Sequence, residues 1–237
     1  MKTLLLTVGL ILVATSLTNK GCGLNVKKQD KCVGFKDQHY LWVTKSIYSA
    51  SELFHLQNEK DPCKRVEKFI IRFGLLPLVG DTSTVLEKLN EEYNIPPALK
   101  AAQAILESGI ERNVGLSKLA IVENNWHGIK SYAKKANKWE THEYKSGKRI
   151  FKSARFASFE TPYMGFKAHA KLLATGKYYK KLQQELLTPE EYSCLDPSRR
   201  KEYVFYLIDV GLKSYATDPN YPKKLKNLIE KWDLEYL

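Results

Sequence analysis

Residues 96–130 read PPALKAAQAILESGIERNVGLSKLAIVENNWHGIK, and the rest of the chain is organised around them. Pro96-Pro97 suits the first turn of a helix, where a missing amide donor costs little. Leu99, Ala102, Ile105 and Leu106 follow at helical spacing, and Ala101, Ala102 and Ala104 leave room for close packing. The apolar run ends at Glu107, just before Ser108-Gly109. A carboxylate that closes an apolar helix before a glycine turn is placed to line a cleft. Partial burial there would raise its pKa towards that of a general acid. The same position also suits a residue that only caps or solvates a helix end. Ser117 opens a second short helical pattern, which runs into Asn124-Asn125-Trp126-His127-Gly128-Ile129-Lys130. Two amides, an indole, an imidazole and a glycine predict a polar ligand wall rather than a core.

Upstream of this stretch, Asp81, Thr82 or Ser83 can cap a helix whose buried face is Val85, Leu86 and Leu89. Downstream, residues 139–144 (WETHEY) are β-prone and residues 145–148 (KSGK) supply a turn. Residues 149–156 return as a second strand, which makes a β-hairpin. In the first strand Trp139, Thr141 and Glu143 share one face, and a one-residue slip would put Glu140 there instead. Glu160 reads as a helix-start residue beside Thr161-Pro162. Phe166, Ala170 and Leu173 mark the next helix face, with His169 as a packing residue beside it. Pro189, Pro197 and the charged run 198–202 (SRRKE) are expected in a loop between helices. Tyr203, Tyr206, Leu207 and Val210 predict another buried stripe. Residues 215–221 (YATDPNY) then lead to a last helix with Leu225, Leu228, Ile229 and Trp232, capped by Asp218.

The chain start has a different character. Lys2 precedes an apolar run over residues 4–13, and small residues follow at 14–16, which reads as a secretory signal over residues 1–21. That run falls short of the about 20 apolar residues of a membrane span. Cys22 follows Gly21, so lipid attachment there, and membrane association through it, stays open. Residues 22–80 read as a small helical extension of unnamed role, with helical spacing at Val66, Phe69, Ile70 and Phe73. Export would allow disulfides, and Cys32 with Cys63 is the expected pair, Cys22 being the competitor. Residues 81–237 form the main domain.

The 237 residues carry 38 Lys and Arg against 26 Asp and Glu, a net charge of +12. That balance favours a polyanionic surface. No P-loop, zinc-finger or RNA-recognition signature supports nucleic acid as the partner. The five histidines, at 39, 55, 127, 142 and 169, are scattered, and neither a CxxC nor an HExxH pattern occurs. No metal or cofactor is expected.

AQAILESG, GLSKLA, NNWHGIK, the THEY hairpin and YATDPNY, in this order, closely resemble the glucosaminidase family of cell-wall hydrolases (glycoside hydrolase family 73). The resemblance spans residues 81–237. It implies an α+β, mostly helical, lysozyme-like fold, with a helical lobe and a small β-hairpin lobe around a glycan groove. It implies cleavage of the β-1,4 bond after N-acetylglucosamine in peptidoglycan; the leader in turn implies the periplasm or the extracellular envelope, and a monomer is expected. Glu107 would be the general acid and Glu143 the second acidic residue, with Tyr215 in support. Asn124, Asn125, Trp126 and His127 would hold the sugar. The substrate's own acetamido group is the alternative to Glu143. Two departures from the family pattern stand beside the groove: Ile110 follows ESG where an aromatic is common, and His127 replaces the aromatic of NNxFGIK. The rival activities are a lytic transglycosylase or a muramidase, and the rival class is a non-catalytic wall-binding scaffold.

Overall fold

The computed structural model describes residues 56, 58–75, 83–112, 115–145, 148–213 and 215–237. The signal-like leader, Cys22 and Cys32 lie outside them. Cys63 is disulfide-bonded and Cys194 is a free, exposed thiol; the expected pairing with Cys32 falls outside the described residues.

The Asp61 side chain accepts from the Cys63 amide at 2.9 Å and starts helix α1 (Pro62–Ile70), which runs on into a π-turn (Ile71–Leu75). Val66, Phe69, Ile70 and Phe73 are buried, in keeping with their spacing. Phe69 stacks on Trp126 at 5.8 Å and Phe73 on Phe166 at 4.8 Å. The described part of the upstream segment therefore shares the core of the main domain. Burying a side chain of this size contributes about 1.5–3 kcal/mol.

Thr84 caps helix α2 (Val85–Tyr93), not one of the three residues before it. Its hydroxyl accepts from the Glu87 amide and the Glu87 carboxylate accepts from the Thr84 amide, a reciprocal box that only Thr84 has the spacing to make. Helix α3 (Pro97–Ser108) begins with Pro97 in its first turn and ends at Gly109, whose φ is +72°. Ten of the twelve residues of α3 are buried; a helix covered on every side is the one others pack around. Helices α4 (Lys118–Val122), capped by Ser117, and α5 (Pro162–Thr175), capped by Thr161, flank the hairpin.

Strands β1 (Lys138–Lys145) and β2 (Lys148–Arg155) pair antiparallel, with Trp139 opposite Ala154 and Glu143 opposite Ile150. A bridge between Lys130 and Phe156 closes the hairpin's base. Helices α6 (Lys180–Gln184), α7 (Pro189–Ser193), α8 (Pro197–Gly211) and α9 (Tyr221–Lys231) complete the helical lobe, α9 packing on α3 and α8 on α9.

The charged run 198–202 is helical, not a loop: the Asp196 carboxylate caps α8 by accepting from the Arg199 amide. Its buried residues are Arg200, Val204, Leu207, Ile208 and Gly211, so of the expected stripe Leu207 is buried while Tyr203, Tyr206 and Val210 are off register. Tyr206 is exposed. No helix among the described residues is long and apolar enough to cross a membrane. The architecture is α+β and mostly helical, with one small hairpin.

Candidate active site

Lys100, Gln103 and Glu107 stand at i, i+3 and i+7 of α3 and so share one face of an otherwise apolar helix. Lys100 and Gln103 are fully buried, and Glu107 is half-buried in the last turn. α9 packs against α3 and sets Tyr221 over this stripe. Gln103 Nε2 donates to the Tyr221 hydroxyl at 3.4 Å, and Tyr221 hydrogen-bonds the Glu107 carboxyl.

Desolvation pushes the Glu107 carboxyl up to about 7; the Tyr221 hydrogen bond and the charges of Arg112 and Lys224 pull the other way without cancelling it. A carboxyl that is about half protonated near neutral pH suits general acid catalysis. Gly109 turns the chain directly after it. A Cβ there would lie 3.1 Å from Arg112 Cδ, so the glycine makes room for Arg112 beside the acid.

Tyr215, expected as a supporting residue, reaches the same place. Its ring stacks on Tyr221 at 5.1 Å, and the two hydroxyls are hydrogen-bonded. Its oxygen lies 2.7 Å from His169 Nε2. Burial and the nearby Glu107 charge hold its phenol well above the usual range, so it remains a neutral donor.

His169 is more than the packing residue its spacing predicts. It is fully buried, and its other nitrogen, Nδ1, lies 2.5 Å from Lys100 Nζ. Lys100 also lies 2.6 Å from His127 Nε2, and the two imidazoles stack at 4.1 Å. Burial holds the Lys100 amine and both imidazoles well below their ordinary ranges.

The expected ligand wall is built differently from its reading. Asn125, Trp126 and His127 are buried and face the interior. Asn125 donates to the carbonyls of Ile129 and Ala157 and accepts from the Ile129 amide, each at 2.9 Å. Trp126 packs in the Phe69–Phe73–Phe166 cluster. Asn124, at φ +51°, donates to the carbonyls of Phe159 and Glu160. The polar residues of this segment mainly satisfy backbone that folds back on itself.

The hairpin is tied to the helical lobe by Glu123, a buried carboxylate that accepts from Asn137 Nδ2 at 2.8 Å and Trp139 Nε1 at 3.0 Å. Glu143 pairs with Ile150 in the strand ladder, and Glu140 is exposed. Sequence reading did not single out Lys100, Gln103, Glu123 or Tyr221. The one available signal was the polar spacing 100–103–107 within an apolar helix. Among the described residues no group of three or more His, Cys, Asp or Glu could hold a metal ion.

Residues 83–234 match the Glucosaminidase family, described as mannosyl-glycoprotein endo-beta-N-acetylglucosaminidase, and the chain belongs to that family. It is similar to the exo-glucosaminidase LytG of Bacillus subtilis (strain 168), with 34% identity over 148 residues, 62% of this chain and 48% of that protein. The chain thus spans about half the length of that relative. Among solved structures, an N-acetylmuramoyl-L-alanine amidase from Staphylococcus aureus shares the fold, at TM-score 0.52 and 24% identity, over 76% of this chain and 44% of that one. The catalytic domain of the autolysin Auto from Listeria monocytogenes aligns at TM-score 0.47 and 28% identity, over 65% of this chain and 81% of that one.

Proposed function

We propose that the protein is a peptidoglycan hydrolase, an endo-β-N-acetylglucosaminidase that cleaves the β-1,4 bond after N-acetylglucosamine with Glu107 as general acid. The observation that carries this reading is Glu107 itself. It stands where the resemblance places the family's acidic residue, at the end of the central helix, pushed up to about 7 by burial and held by Tyr221. Breaking a glycosidic bond requires a proton on a poor leaving oxygen while positive charge develops on the sugar ring. The protonated Glu107 supplies that proton. Tyr221 keeps one carboxyl oxygen engaged, so the other faces the substrate. Glu143, or the substrate's acetamido group, then steadies the cation or orients water.

The same reading assigns the protein, as a monomer, to an exported location. The leader over residues 1–21 and the disulfide at Cys63 support an oxidising compartment. Asn124, Asn125, Trp126 and His127 take the role of shaping the sugar site from behind.

Mass spectrometry of muropeptides released from purified peptidoglycan tests the bond. Reducing N-acetylglucosamine ends are expected. Reducing N-acetylmuramic ends would mean a muramidase, and 1,6-anhydro ends a transglycosylase. Binding without release, by both the parent protein and Glu107→Gln, would mean a scaffold.

A further inference from the structure

A lysine with no exposed surface is rare unless it is paired with a carboxylate, yet Lys100 has two imidazoles as its partners. It also stands at the head of a continuous polar chain. From Lys100 Nζ it passes 2.5 Å to His169 Nδ1, then 2.7 Å from His169 Nε2 to the Tyr215 hydroxyl. From there it runs by hydrogen bonds to Tyr221 and to the Glu107 carboxyl. Each intermediate carries a single proton to place, so the direction of one bond fixes the next.

We infer that Lys100 and His169 are positioning residues that polarise this chain, so that every hydrogen bond in it points at Glu107. The inference rests on Glu107 acting as the acid. If Lys100 donates to His169 Nδ1, the imidazole proton sits on Nε2 and is donated to Tyr215. Tyr215 then accepts from inside and gives its own proton to Tyr221. Tyr221 already accepts from Gln103, and so its proton goes to Glu107. In the opposite polarity His169 Nδ1–H would point at the amine, Tyr215 would donate inward, and Tyr221 would turn from the acid to Tyr215. His127 Nε2, 2.6 Å from Lys100 Nζ, is the amine's second partner. The Phe166 ring centroid lies 5.2 Å from Nζ on a further side of the amine. The groups that face Glu107 are Tyr221, Arg112, Lys224 and Tyr215, so the chain is one of several influences on its titration.

The chain gives Glu107 a donor on the oxygen that does not transfer a proton. Losing the polarity frees Tyr221 to turn away, which removes a bond that stabilises the carboxylate. The acid becomes harder to ionise, and the alkaline limb of the pH–rate profile should move to higher pH. Lys100→Met keeps the length and apolar body of the side chain while deleting the donor. It should lower kcat about tenfold on purified peptidoglycan, with KM within about twofold, because the interaction serves the reacting acid rather than binding. His169→Phe keeps a ring on His127 and breaks the same link. It should move the same limb by the same amount, and the double variant should be no worse than either single one. A merely structural role would instead lower stability, leave the limb in place and give additive effects.

A readout independent of turnover is ¹⁵N NMR of the imidazoles in the intact protein. His169 should carry its proton on Nε2 in the parent protein and lose that strict preference in Lys100→Met. An Nδ1–H tautomer in the parent, or an unmoved limb in a folded, active His169→Phe, would overturn the inference. A parent protein that releases no muropeptides, or a Glu107→Gln protein that releases them at the parent rate, would overturn the hydrolase reading. The NMR result would stand apart from either.

Discussion

Arg65 Nε donates to the Ile110 carbonyl at 2.9 Å, across 45 residues of sequence. Its guanidinium also donates to the carbonyls of Arg112, Glu59 and Lys60. Two of these four acceptors lie in the turn that follows Glu107 and two in the lead-in to α1. Arg65 is buried, so the fork cannot be replaced by water without opening the structure. The segment upstream of the family match therefore braces the turn that follows the acid.

Replacing Arg65 by Met should test that coupling. The buried Ile110 carbonyl would lose its donor, at a cost of about 2–3 kcal/mol for a bond to a charged group. Chemical denaturation should show the loss as a lower midpoint with an unchanged slope. Activity on peptidoglycan should fall below what the unfolded fraction explains, because the turn after Glu107 is freed. Full activity at a lowered midpoint would show that Arg65 serves stability alone.

Glu107→Gln should abolish catalysis and, at pH 8, stabilise the fold. Loss of a general acid costs about 10²–10⁴-fold in rate. The stability gain follows from the sign of the shift. Burial raises the folded carboxyl to about 7 from an ordinary value of 4.5, so the folded state holds this proton more tightly than the unfolded chain. Stability from this group is fully present below about 4.5 and is lost as pH rises through about 7. Gln carries no such penalty. The variant should exceed the parent by on the order of 1 kcal/mol at pH 8, after discounting for the solvent that reaches the carboxyl, and match it at pH 4. For the parent, activity should decline as pH rises through about 7. A variant less stable than the parent at pH 8 would refute the burial account of Glu107.

How much of this was legible follows from which face of an element carries the information. Glu107 was readable because it ends an apolar helix at a glycine, and the hairpin because strand and turn residues alternate cleanly. Lys100 was not, since a helical lysine reads as solvated and its partners lie 27 and 69 residues away. The NNWHGIK stretch was read as a ligand wall because its side chains are polar. In the fold those amides serve backbone groups: Asn125 those of Ile129 and Ala157, and Asn124 the carbonyls of Phe159 and Glu160. The run 198–202 reads as a loop because its charges lie on the outer side of α8. Its one inward member, Arg200, reaches the carbonyls of Ser193 and Leu237 and packs over the Tyr192 ring.

Gly165 should be intolerant of even one added carbon. A Cβ on it would lie 2.3 Å from the backbone oxygen of Asn124, which cannot swing away as a side-chain tip could. The close approach lets α5 pack flat against the 124–130 segment. Gly165→Ala should therefore destabilise by about 1–3 kcal/mol, as overpacking does, despite the higher helix propensity of Ala. A gain in thermal stability would show that the segment yields more readily than its hydrogen bonds suggest.

Glu123 provides the last test, because it joins the two lobes through one charged group. Burial works to raise its carboxyl, but hydrogen bonds from Asn137, Ser158 and Trp139 outweigh that and hold it below the ordinary range. With the folded value depressed, its stabilisation is present above the unfolded carboxyl range and is lost as pH falls through the folded value. Asn137 and Trp139 both donate to Oε1, so Glu123→Gln keeps that acceptor as an amide oxygen but removes the charge. It should cost about 1.5–3 kcal/mol at pH 7, the range for hydrogen bonds to a charged group. The gap to the parent should then shrink as pH falls below the ordinary carboxylate range and through the lowered folded value, where the parent carboxyl takes up its proton and loses the same advantage. Hydrogen exchange should show the increased opening concentrated in β1 and β2, with α3 and α9 protected as before. A gap that stays constant from pH 7 to pH 3 would mean that shape, not charge, is what Glu123 contributes at the joint.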